Sequence, residues 1–214
     1  MKRIAGAASL LLLFLSVTSC RSTYYATWEK FGKYKRDLLK ENVQKARDDE
    51  QAAAEQFKDA LTRLRELYHF QGGDLEKVYD RLKTEYDHSE ARANAVHHRI
   101  KQVEQIASDL FAEWDQEAKT ISNRRLRADS ELKLRETQAS YESLHEAMKR
   151  AERSMDPVLR QFRDQVVYLK HNLNAQAIGA LKTEALDVDQ DIQRLIQDMN
   201  ASISEAESFI RTLR

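Results

Sequence analysis

Residues 75–128 read LEKVYDRLKTEYDHSEARANAVHHRIKQVEQIASDLFAEWDQEAKTISNRRLRA. Steps of seven from Tyr79 land on Tyr79, Tyr86, Ala93, Ile100, Ala107, Trp114, Ile121 and Ala128, all apolar or aromatic. A second row runs through Leu75, Leu82, Ser89, Val96, Val103 and Leu110 before Glu117 and Arg124 end it. The rows alternate at spacings of four and three, the heptad pattern of a helix packed lengthwise on other helices. Charged and amide side chains fill the positions between, as a solvated helix face requires. No Pro or Gly interrupts the run from Asp74 to Asp156. The pattern therefore predicts a single helix roughly 120 Å long, at about 1.5 Å per residue. Its weakest stretch is Thr120-Ile121-Ser122-Asn123, and a break there predicts a shorter, thicker bundle instead.

Composition agrees with helices. Charged residues make up 33% of the chain, with 35 cationic and 35 acidic side chains, while Gly numbers 5 and Pro 1. That balance suits long helices and coiled coils. It argues against a dedicated nucleic-acid binder, which carries a basic excess. Cys20 is the only cysteine, so no internal disulfide can form.

Upstream of the repeat, Lys2 and Arg3 precede an almost continuous apolar run from Ile4 to Val17. This is the pattern of a secretory signal peptide over residues 1–19, too short for a comfortable transmembrane helix of roughly 20 residues. Its ending, Val17-Thr18-Ser19-Cys20, resembles a bacterial lipobox. That resemblance implies cleavage before Cys20, lipidation of Cys20, and membrane attachment through several acyl chains. An ordinary signal peptide and an uncleaved anchor are the alternatives. Arg21 follows the cysteine rather than Asp. The resemblance thus implies the periplasmic face of the outer membrane in preference to the inner membrane. Removal of Lys2 and Arg3 leaves a slightly acidic mature chain.

Tyr24, Tyr25, Trp28, Phe31 and Tyr34 cluster after the leader. They suit either an interfacial aromatic belt or packing on a neighbouring helix, and helical stripes favour packing. A regular stripe follows through Leu39, Val43, Ala46, Glu50, Ala53, Phe57, Ala60, Leu64 and Leu67, in which only Glu50 is polar. Gln71-Gly72-Gly73-Asp74 then predicts a hairpin, with glycine at the turn and Asp74 capping the next helix. Downstream, Leu134, Tyr141, Leu144, Met148, Ala151 and Met155 continue the seam in a shifted phase. Asp156-Pro157 predicts a stop and restart, with Pro in the first turn of a new helix. Two further stripes, Leu159 to Leu173 and Leu181 to Leu213, change phase near Gly179. The expected fold is all-α: an elongated antiparallel bundle or coiled coil of three long helices, about 24–70, 74–155 and 157–213. They form one domain over residues 20–214.

The stretch FRDQVVYLKHNLNAQAI at residues 162–178 resembles the most recognisable segment of an uncharacterised bacterial family, catalogued as domain of unknown function 2959. Gly32-Lys33-Tyr34-Lys35-Arg36-Asp37, and Ala46-Arg47-Asp48 leading into Glu55-Gln56-Phe57, are similar to its N-terminal segment. The similarity spans nearly all of the mature chain. It implies a Gram-negative envelope protein with a lipoprotein-type start, and it carries over no activity and no functional residues.

Individual side chains point to little chemistry. The 6 His include the adjacent His97 and His98, and the pair His69 and His88 flanking the hairpin, but no HExxH or comparable ligand spacing occurs. Neither a Gly-rich phosphate loop nor a nucleophile turn is recognisable. No metal, cofactor or catalytic residue is expected, and the chain reads as a non-enzyme. Arg124, Arg125 and Arg127 form a small basic cluster, read as a solvated face or a lipid-headgroup contact. Lys170, His171, Asn172, Asn174 and Gln176 are the most unusual polar set. Placed on a helix, they suit either setting register in a seam or docking a partner. The expected function is a lipid-anchored structural or adaptor protein of the envelope, with a protein partner or self-association and no nucleic acid. The alternative is a module that binds a lipid or other small apolar envelope molecule.

Overall fold

A computed structural model describes residues 24–28, 32–70, 72 and 74–213, with the backbone alone at position 175. The readings placed on residues 1–20, including lipidation at Cys20, lie outside the described residues, as do Phe31 and Gly73.

After a helical segment at 24–28, the chain forms four long helices: α1 (Lys35–Tyr68), α2 (Leu75–Thr120), α3 (Arg124–His171) and α4 (Ala175–Thr212). The hairpin between α1 and α2 lies where the sequence predicts it. Gly72 sits at φ +135, a conformation that a Cβ would strain. The Asp74 side chain caps α2 by accepting from the Lys77 backbone N–H at 3.2 Å.

The single helix over 74–155 is corrected to two. Asn123 accepts from the backbone N–H groups of Arg125 and Leu126 at 3.0 and 3.2 Å, which caps α3 and stops α2 from continuing. Arg127 supplies the other half of the turn. Its guanidinium donates twice to the Ile121 carbonyl, at 2.9 and 2.7 Å, pairing a carbonyl that the helix end would otherwise leave open.

The stop at Asp156-Pro157 is also corrected: α3 runs straight through Pro157. A proline there removes one helical hydrogen bond and costs about 3 kcal/mol. Burial of Met155, Val158 and Phe162 on the same helix outweighs that loss. The chain turns instead at 172–174. Asn172 Nδ2 donates to the Tyr168 carbonyl at 2.9 Å, and Asn174 Oδ1 accepts from the Ala177 N–H at 3.0 Å. The predicted third helix over 157–213 is therefore the end of α3 plus α4.

The all-α architecture stands, and three helices become five among the described residues: the predicted helix over 24–70 is also split, into the short 24–28 segment and α1 from Lys35, with Gly32 at φ +75 between them. Consecutive long helices pack side by side, and α4 also packs on α1, closing an up-down-up-down ring. Polar pairs mark the antiparallel alignment: Arg99 with Asp49 at 2.9 Å between α2 and α1, and Gln161 with Asp191 at 2.9 Å between α3 and α4. Phe57, Leu64, Leu82, Ile100, Phe162, Ile192 and Phe209 fill the centre. Ser89, the polar member of its heptad row, is buried and donates to its own Glu85 carbonyl at 2.7 Å.

The helices are unequal in length. α1 starts near Glu113, which pairs with Lys35. α4 ends near Tyr141, whose ring lies 5.9 Å from that of Phe209. Beyond these points α2 and α3 continue as a two-helix arm. Trp114 Nε1 donates to Ser130 Oγ at 2.9 Å there, and Ala118 and Leu134 are buried apart from the main core.

Candidate functional site

The aromatic cluster resolves into a clamp. The 24–28 segment lies back against α1 and α2, held by the Lys33 N–H donating to the Trp28 carbonyl at 3.0 Å. Tyr25 is buried, and its hydroxyl donates to Asp109 Oδ2 at 2.6 Å. Lys35 Nζ sits 4.7 Å from the Tyr25 ring centre and Lys33 Nζ 5.0 Å from that of Trp28, both cation–π distances. Tyr24 is 49% exposed and meets Tyr25 edge-on at 5.3 Å. The packing reading thus describes Tyr25 and Trp28, while Tyr24 and Tyr34 face solvent.

Between this segment and the two helices runs an open groove of about 770 Å³. Leu38 and Ile106 line it along with Tyr24 and Trp28, and Lys45, Arg99 and Lys101 also border it. Glu41 is a carboxylate in this lining. Lys45 and then Lys33, hydrogen-bonded to it, hold its carboxyl down to about 2. Sequence reasoning missed this site for a physical reason. Lys101, Gln102 and Gln105 read as the solvated face of α2, and they become a wall only because residues 24–28 fold back beside them.

A second feature lies in the core. Glu50 is 1% exposed. One carboxyl oxygen accepts from Ser202 Oγ at 2.9 Å, and the other has no partner. Burial raises its pKa to about 8, with the Ser202 hydrogen bond opposing and Asp49 adding to the rise. Glu50 is thus a neutral acid at pH 7. Nearby in character is Gln165, buried on α3, which accepts from the Tyr68 hydroxyl at 2.9 Å across the bundle.

The polar set of the third stripe is brought together, but not on a helical seam. Lys170 and His171 end α3, Asn172 and Asn174 make the turn, and Gln176 opens α4. Both asparagines act on the backbone, so turn formation replaces the register role. A signal for it was present, since two asparagines two residues apart suit the end of one helix and the cap of the next. Lys170, His171 and Gln176 remain exposed. Arg124 and Arg125 are exposed at the tip of the two-helix arm beside Leu126, which is 58% exposed.

The histidines are dispersed. His97 pairs with Glu152, and His145 Nε2 lies 2.9 Å from Glu104. His69 Nδ1 lies 2.8 Å from the Arg65 carbonyl. Among the described residues no group of three His, Cys, Asp or Glu is placed to hold a metal ion, and no helix is long and apolar enough to cross a membrane. The family described as protein of unknown function (DUF2959) matches the chain over residues 24–213. No curated protein matches it.

Proposed function

The chain belongs to the DUF2959 family, and from that footing we propose that it is a lipid-anchored structural or adaptor protein of the bacterial cell envelope. The observation that carries this reading is the filled interior. Among the described residues, the core from Leu39 to Phe209 is continuous and built of close-packed aliphatic, aromatic and Ala side chains. Work on partners then falls to the outer helix faces, the two-helix arm and the turn at 172–174.

Lipidation at Cys20 and placement on the periplasmic face of the outer membrane rest on the Val17-Thr18-Ser19-Cys20 sequence and on Arg21 after it. No catalytic role, cofactor or nucleic-acid partner belongs to the proposal. The test is cross-linking in intact cells, with partners identified by mass spectrometry after solubilisation. A reproducible envelope protein joined through the arm or the 172–174 turn supports the adaptor reading. Cross-links confined to copies of this chain would replace it with a self-associating structural role.

One observation favours a second reading, a module for an envelope lipid or other small apolar molecule. The outer groove beside Trp28 has the volume of a small-molecule site, which is typically about 300–1,000 Å³.

A further inference from the structure

We infer that the groove between the 24–28 segment and the α1–α2 face binds one anionic phospholipid. An acyl chain lies against Tyr24, Trp28, Leu38 and Ile106, and the phosphate meets the cations led by Lys101. This deepens the lipid-module reading and rests on it, but it does not depend on lipidation of Cys20.

Three observations converge on that occupant. The first is the two-sided lining. Aromatic and aliphatic side chains share the groove with amides and cations, which is the demand of a ligand with an apolar tail and a charged head. Tyr and Trp suit such a boundary, having an apolar body and a polar edge.

The second is charge. Lys45, Arg99 and Lys101 line the groove against the single carboxylate of Glu41. Glu41 is held by Lys45 and Lys33 at 2.7 and 2.9 Å. Arg99 donates to Asp49 at 2.9 Å. Lys101 is exposed and has no carboxylate partner among the described ion pairs. It is the cation left to meet an anion, and ammonium–phosphate contacts are charge-assisted and strong.

The third is position. Tyr24 lines this groove, and Cys20 is four residues upstream of it in the sequence. An extended chain spans about 14 Å over that length. A membrane engaged by the leader or by an anchor at Cys20 would therefore bring its lipids to the groove.

The test uses the full chain in neutral detergent with Trp114→Phe, which leaves Trp28 as the only tryptophan, since the sequence has 2. Phosphatidylglycerol or phosphatidylcholine with brominated acyl chains is titrated in, and quenching of Trp28 is read. Saturable quenching is expected, with phosphatidylglycerol binding about tenfold tighter than phosphatidylcholine. Lys101→Glu should abolish that preference while leaving helix content unchanged. In the Trp28→Phe variant, Trp114, about 12 Å along α2 from Ile106, should be quenched less than Trp28 is.

Equal quenching by the two lipids, unmoved by Lys101→Glu, overturns the inference. That is the result expected if Trp28 merely sits in the micelle. Mass spectrometry of the purified chain separates the two levels. One phospholipid per chain, retained equally by wild type and Lys101→Glu, leaves the lipid-module reading standing and removes the groove. No phospholipid in either, together with no saturable quenching, removes both.

Discussion

At the scale of single residues, Glu50 is the clearest case of sequence and structure meeting. The stripe from Leu39 to Leu67 shows it as the one polar residue on an apolar face, and the fold buries it to 1% exposure. Unfolded, this carboxyl ionises near 4.5; folded, it keeps its proton to about 8. Between those values the native state binds the extra proton, so stability is greatest below about pH 4.5 and falls as pH rises towards 8. Glu50→Gln keeps the shape and an acceptor for Ser202 without the charge. Its stabilisation relative to wild type should be small at pH 5 and grow through pH 8.5, as read by thermal melts across that range. A difference that stays flat with pH would show that Glu50 ionises normally in the fold. Phe162 tests the packing itself. It is fully buried and meets the Tyr86 ring edge-on at 5.7 Å. Phe162→Ala should cost about 3–5 kcal/mol in a denaturant titration.

At the scale of elements, the question is where helices end. Pro157 invites a helix start, and the fold instead carries it deep inside α3. The two readings predict opposite signs. As a first-turn residue, Pro157 would be favourable, and Pro157→Ala would be neutral or harmful. Within a continuous helix, Pro157→Ala restores a backbone donor and should stabilise by about 1–3 kcal/mol. Chemical denaturation of the variant decides between them. The true ends carry asparagine caps, so Asn123→Ala and Asn174→Ala should each cost about 1 kcal/mol. Asn123 was legible as part of a weak stretch, while the cap role of Asn174 was obscured by an apolar stripe continuing on both sides of the turn.

At the scale of the whole molecule, the ring of four helices brings positions 69 and 156, both exposed, to the same half of the bundle. Spin labels there should lie about 30 Å apart, against about 120 Å for one straight helix from 74 to 155. Double electron–electron resonance separates these outcomes cleanly. The amino-acid pattern alone determined that the chain is helical, most of the buried seam and where the first hairpin turns, although Ala128 and Leu173, both in predicted stripes, are exposed at and beside the later turns. Those properties depend on side-chain chemistry and spacing along one helix, and Leu82, Val96, Ile100 and Val103 are buried as their heptad positions require. Only the tertiary structure decided the number of helices and their partners. An apolar stripe buries nearly the same residues whether the helix runs on or doubles back through a three-residue turn such as 121–123 or 172–174, so heptads carry little record of the turn. The groove at Trp28 was equally out of reach. It exists because residues 24–28 and Lys101, far apart in the chain, become neighbours once α1 and α2 are packed.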